Sequence, residues 1–149
     1  MGDNNKELGS FPYLYRFNDE RYNVLPKNDI EKICPISKNE SALLWEKNID
    51  SIKAHYKECA SIVNRIKEIK GDCGWGDYES EEETRKLLRR MDDGSSEIIL
   101  FWSKHYSVKT VWKIFCQYWS DFCYPSDDGN IILHKNNIII YDEDKLYEI

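Results

Sequence analysis

Seven residues near the end of the chain, Asp121, Tyr124, Asp127, Asp128, Asp142, Glu143 and Asp144, form its densest set of side chains able to do chemistry. Carboxylates grouped around one phenol create a negative field with an aromatic anchor. That combination attracts a basic protein quickly and holds it through a few buried contacts. The imbalance is local: from Asp121 onward there are seven acids and two lysines, whereas residues 1–120 carry twenty acids against nineteen bases. The plainer alternative is solubility, since Asp is common in turns for backbone reasons as well as for its charge.

The same acids also suggest a catalytic alternative. Asp127 or Asp128, followed after a strand-sized gap by Glu143-Asp144-Lys145, has the Asp…Glu-x-Lys order of metal-dependent nucleases. In those enzymes two carboxylates hold Mg²⁺ and a lysine orients the attacking water. The pattern is short, and a net charge of −6 repels a nucleic-acid substrate, so it stands behind the binding reading. The three histidines, His55, His105 and His134, lie far apart with no metal-ligand spacing. There is no Gly-x-Ser-x-Gly elbow, P-loop or dinucleotide fingerprint. The five cysteines, Cys34, Cys59, Cys73, Cys116 and Cys123, include no Cys-x-x-Cys pair, which argues against both a disulfide framework and a zinc knuckle. The expectation is a chain with no catalytic residues, no cofactor and no metal, and with a protein as its partner.

The elements that would carry these residues read as an α+β fold with a mainly antiparallel sheet. The first ten residues are polar and flexible, and a single domain spans 11–149. Strands are expected near 12–17, 97–102, 131–134, 137–141 and 146–149, each an apolar or aromatic run bounded by turn residues. Helices are expected near 38–47, 49–69, 81–92 and 108–122. Ser37-x-x-Glu40 and Ser80-x-x-Glu83 are capping boxes, and Ser107 is read as the cap of the last helix. Ile52, Tyr56, Cys59, Ile62, Val63, Ile66 and Ile69 give the longest helical stripe, read as packing on the sheet and not as a coiled-coil seam. Val108, Val111, Trp112, Phe115, Trp119 and Phe122 repeat the pattern and read as core. Between the helices, residues 71–83 hold six acids and no base around Trp75. Part of that run suits the positive end of a helix dipole.

A length of 149 residues with 41% hydrophobic residues supports one real core. The apolar runs Ile98–Trp102 and Asn137–Tyr141 are far too short to cross a bilayer, and the first residues lack the pattern of a secretory signal. Nucleic acid and membrane are therefore not the expected partners, and the cytoplasm is the expected compartment.

Tyr13-Leu14-Tyr15-Arg16-Phe17, Ile33-Cys34-Pro35-Ile36-Ser37 leading to Ser41-Ala42-Leu43-Leu44-Trp45, and Val108 to Phe115 through Trp119, Phe122 and Asp127-Asp128-Gly129 resemble small acidic bacterial proteins of a domain family of unknown function. The C-terminal half is similar to immunity proteins of polymorphic and contact-dependent toxin systems. The resemblance covers about half the chain and leaves residues 49–91 unmatched. It implies a cytoplasmic α+β protein, not an enzyme, that binds and neutralises one cognate toxin. Many such toxins are basic nucleases, and carboxylates placed where phosphates would lie are a direct way to occupy such a site. The alternative from another class is a regulatory protein-binding domain whose acidic edge serves only solvation.

Overall fold

The computed structural model describes residues 11–49 and 66–149. The helices are α1 (Tyr15–Asn18), α2 (Lys27–Ile30), α3 (Lys38–Asn48), α4 (Tyr78–Met91) and α5 (Trp112–Phe122). The strands are β1 (Asn23–Val24), β2 (Cys34–Pro35), β3 (Lys67–Lys70), β4 (Glu97–Ser103), β5 (Tyr106–Val111), β6 (Asn130–His134), β7 (Asn137–Asp142) and β8 (Lys145–Glu148). All but β1 join one seven-stranded sheet in the order β2-β5-β4-β6-β7-β8-β3. Every neighbouring pair is antiparallel, so the expected α+β class with an antiparallel sheet holds. The expected flexible segment 1–10 and the part of the long helix at 50–65, with His55 and Cys59, lie outside the described residues.

The central strands are apolar in unbroken runs because both of their faces are covered. Along β4, Ile98, Leu100 and Trp102 face a large cluster with α4 and α5, while Phe101 and Ile99 face Trp45 and Ile49 at the end of α3. Strands β6 and β7 alternate in the same way, with Ile132 and Ile139 on the first face and Ile131 and Ile140 on the second. The hairpins between them are two-residue turns, Lys135-Asn136 and Glu143-Asp144, with Lys135, Glu143 and Asp144 at positive φ. At the sheet's margins, β2 contributes two residues ending in Pro35, and β3 reads Lys-Glu-Ile-Lys with a register shift between Glu68 and Lys70.

Three expectations need correction. Residues 12–17 form no strand: Phe11–Leu14 is a turn and Tyr15–Asn18 is helical. The place beside β5 where such a strand could join is taken by β2, and the Tyr13 ring instead stacks on Trp102, with centroids 4.8 Å apart. The helix expected at 108–122 begins only at Trp112, and Tyr106–Val111 is β5, paired with β4 from Glu97–Val111 to Ser103–Tyr106. The β-branched Val108, Thr110 and Val111 suit a strand, and pairing decides where spacing alone fits both periods. Ser107 is therefore no cap; its hydroxyl donates to Ser41 at 2.7 Å, and Ser41 donates to the Lys104 carbonyl at 2.8 Å. Helix α5 is started by the chain before β4, its Trp112 and Lys113 N–H groups donating to the Ser96 and Gly94 carbonyls at 2.8 and 3.0 Å. Third, the end of the expected 49–69 helix is strand β3, paired with β8.

Two smaller shifts follow from capping chemistry. Ser37 caps α3 as expected, accepting the Glu40 N–H at 3.2 Å. Helix α4 starts three residues earlier than expected, because Asp77 takes the cap position and accepts from both the N–H and the hydroxyl of Ser80.

Candidate functional site

Arg16 and Asp127 organise the end of the molecule where the predicted residues meet. The Arg16 guanidinium, 3% exposed, bonds Asp127 bidentately at 3.0 and 2.7 Å and donates to the Phe122 carbonyl at 3.0 Å. It also lies 3.6 Å over the Tyr124 ring, and the Tyr124 N–H donates to Asp127 at 3.1 Å. Burial alone would lower the pKa of Arg16; the Asp127 bonds outweigh it and raise it, so the guanidinium is a permanent cation. This unit fixes the path of the chain just after α5.

The β7–β8 turn does the same for the acidic loop. Asp144 accepts the N–H groups of Gly74 at 3.1 Å and of Trp75 at 3.2 Å, and it also accepts the Tyr141 hydroxyl at 2.9 Å. Trp75 then leans on the end of α5, its indole N–H donating to the Ser120 carbonyl at 2.7 Å and its ring meeting Tyr124 edge-on at 5.2 Å. Glu81 ties the loop down from the other side, accepting from Gly76 N–H at 2.6 Å and the Ser120 hydroxyl at 2.9 Å.

Opposite this loop stands the short β1 turn. Its Asn23 amide donates to Asp121 at 3.0 Å, and Tyr22 packs on Tyr15 at 4.8 Å. Between the two walls lies an open cleft of about 620 Å³, whose lining includes Tyr22, Trp75, Tyr118, Tyr124, Asp121 and Glu81 together with Arg21 and Arg85. Tyr22 is 53% exposed and Trp75 39% exposed. Arg21 is engaged by Asp19 at 2.7 Å, and Arg85 by Glu82 and, at 3.1 Å, by the Gln117 carbonyl. Burial raises the pKa of Asp121; the Asn23 bond opposes the shift, nearby Glu81 adds to it and Arg85 draws it down. Burial also pushes the Tyr124 phenol up to about 12, against the pull of Arg16.

Helix α4 polarises this end. Its sequence, Tyr-Glu-Ser-Glu-Glu-Glu-Thr-Arg-Lys-Leu-Leu-Arg-Arg-Met, places the acids in the first half and the bases in the second. The acids therefore face the cleft end of the helix, aligned with the helix dipole.

Of the seven residues predicted from sequence, Asp121 and Tyr124 line the cleft. Asp127 and Asp144 sit behind it, where they position Tyr124 and Trp75. Asp128 and Glu143 are exposed, and Asp142 pairs across the β7–β8 hairpin with Lys145. Of the Asp…Glu-x-Lys pattern, Asp127 is engaged through both oxygens by Arg16, and Glu143 occupies a positive-φ turn position. Among the described residues, no group of three or more His, Cys, Asp or Glu side chains could hold a metal ion. The acidic loop 71–83 shares the face of Asp121, through Trp75 and Glu81. Sequence reading missed Tyr22, Asn23 and Glu81 as cleft residues and Arg16 as the organiser. An arginine inside an aromatic run, Tyr13-Leu14-Tyr15-Arg16-Phe17, was the available signal for the last.

A second polar cluster lies elsewhere. Asp92, with no exposed side-chain surface, accepts from the Gly94 N–H at 2.8 Å, the Ser96 hydroxyl at 2.5 Å and Lys135 at 3.1 Å. His134 Nε2 lies 2.9 Å from Asp92, and the ring stacks on Trp112 at 4.3 Å. Burial would raise the pKa of Asp92, but Ser96, His134, Gly94 and Lys135 hold it far below the carboxylate range. The cluster joins the start of α5 to β6 and reads as structural. Among the described residues no helix is long and apolar enough to cross a membrane.

Residues 6–149 match the family described as "Protein of unknown function (DUF2947)", and the chain belongs to it. No curated protein and no solved structure matches the chain.

Proposed function

We propose that this member of the DUF2947 family is a non-catalytic binding protein of the immunity kind, which captures and neutralises a basic protein toxin in the cytoplasm. One observation carries the reading: Asp121 and Tyr124 meet Trp75, Tyr22 and Glu81 in a single open cleft at the acidic end of α4. Aromatic side chains left half-exposed around a negative charge are the usual energetic centre of a protein interface. The surrounding field speeds encounter with a positively charged partner and repels nucleic acid. A basic nuclease domain is the partner that this chemistry fits best, its phosphate-binding face meeting carboxylates.

The test is a pull-down with this chain as bait from cells carrying its native neighbouring genes, at low and then moderate salt. The expected result is a stoichiometric basic partner, toxic when expressed alone and harmless when coexpressed with this chain. A second reading, a regulatory binding domain with a merely solvating acidic edge, draws on the structural occupation of Asp127 and Asp144. A partner that is neither basic nor toxic, bound with no dependence on salt, would favour it.

A further inference from the structure

Resting on that reading, we propose that the cleft takes one arginine side chain from a partner loop, with Asp121 as its counter-ion and Tyr22, Trp75 and Tyr124 as its aromatic surround. Asp121 is the cleft carboxylate with capacity to spare. Among the described residues only the Asn23 amide donates to it, and that bond falls on Oδ2. A carboxylate can accept about four hydrogen bonds, so Oδ1 is available to a second donor group. Glu81 differs, since Gly76 and Ser120 each engage one of its oxygens and neither is left without a donor. The two arginines in the lining do not fill the role. Arg21 is held by Asp19 and Arg85 by Glu82, and neither of those carboxylates lines the cleft.

The walls select the kind of cation. A guanidinium is planar, weakly hydrated and forked, so it can lie flat on an aromatic ring while its N–H groups reach a carboxylate bidentately; an ammonium is a more strongly hydrated point charge that does neither. The chain shows that its own aromatic residues accept such a group: Arg16 lies 3.6 Å over Tyr124 and 5.0 Å from the Tyr13 ring centroid while bonded to Asp127. On the cleft side, Tyr22 and Trp75 stand half-exposed beside Asp121, and the two arginines that share the lining, Arg21 and Arg85, are bonded to Asp19 and Glu82. Trp, Tyr and Arg are also the residues that dominate binding energy at protein interfaces.

The experiment titrates the full chain with N-acetyl-arginine amide, N-acetyl-lysine amide and the neutral isostere N-acetyl-citrulline amide. Binding is followed by the Trp75 indole N–H resonance and by the aromatic resonances of Tyr22 and Tyr124. The arginine probe is expected to saturate, with lysine about threefold weaker and citrulline at least tenfold weaker, as expected for a charge-assisted, stacked contact. Asp121→Asn should weaken arginine binding about tenfold, and Tyr22→Ala, a change at an exposed ring, about threefold. Equal responses to arginine and citrulline, shifts confined to residues outside the cleft, or arginine binding unchanged in both variants would overturn the inference. The wider reading is separable from it: a basic partner held with undiminished affinity by Asp121→Asn would keep the binding function and remove the arginine anchor. Saturable arginine binding without any basic partner would do the reverse.

Discussion

Replacing Asp127 by alanine should cost stability out of proportion to its place in a predicted binding edge. Asp127 is 11% exposed and its partner Arg16 only 3% exposed, so the substitution strands a buried guanidinium with the Phe122 carbonyl, the Tyr15 hydroxyl and aromatic rings as its remaining partners, none of them anionic. Breaking a buried pair by removing one member costs ~3–5 kcal/mol. The loss of the acceptor for the Tyr124 N–H adds about 1 kcal/mol. Water reaching the vacated carboxylate site offsets part of this, which places the total at about 4 kcal/mol. For a chain of 149 residues that corresponds to a fall in melting temperature of roughly 12 °C. Urea denaturation followed by circular dichroism and tryptophan fluorescence measures the change, with an unchanged m-value as the check that folding is still two-state. The companion double variant, Arg16→Met with Asp127→Leu, removes both charges and should recover most of the loss. A cost below about 1 kcal/mol for Asp127→Ala alone would refute the assignment of this pair as the organiser of the site.

Further outcomes follow from other positions. Gly74→Ala should destabilise by about 3 kcal/mol, because φ is +73° there and the new methyl carbon would fall 2.0 Å from the Ser80 Cβ; an unfolding midpoint equal to wild type would contradict the loop geometry. Asp92, whose pKa is depressed in the fold, contributes stability that is full above the ordinary Asp range near 4 and drains away as pH falls below it. Asp92→Asn should therefore be costly at neutral pH and should flatten the acid limb of stability against pH, read from urea midpoints between about pH 2 and 7. Asp121 has the opposite sign: its raised pKa means that the folded state keeps this proton longer, so its contribution is most favourable at low pH and declines as pH rises through the shifted value. Asp121→Asn should remove that decline, and an identical pH profile in the variant would count against a buried, charged Asp121.

Several elements with a strong local signal are legible in the sequence. Ile98–Trp102, Ile131–His134 and Asn137–Tyr141 are apolar runs between turn residues, and each is a central strand. Ser37 signals its helix through a local bond to Glu40. The misreadings share one cause, a decision taken by distant partners. Val108 to Val111 fits a helical stripe as well as a strand, and β4 settles the choice. Tyr13 to Phe17 has the composition of a strand but finds β2 already beside β5. The site divides in the same way. Asp121 and Tyr124 stood out by type, whereas Arg16 meets Asp127 across 111 residues and Trp75 meets Ser120 across 45, separations at which neighbouring letters carry no signal. Asp127 and Asp144 were legible as acids but not as positioning residues, because that distinction depends on which N–H and guanidinium groups the fold brings to them.

The order of the sheet also governs how the chain would fail. Its most fibre-prone stretches, Ile131–Leu133 and Ile138–Tyr141, form the interior strands β6 and β7, each hydrogen-bonded on both sides. The margins are poor templates by contrast, since β2 is two residues long and ends in a proline without an N–H, while β3 carries lysines and a bulge. Accretion of further strands onto the native form is blocked at both ends, so cross-β deposition has to begin from chains in which the sheet has come apart. Shelf life in concentrated solution should then track global unfolding free energy, and substitutions at the buried Arg16 or Asp92, neither of which belongs to an edge strand, should be the ones that precipitate the protein.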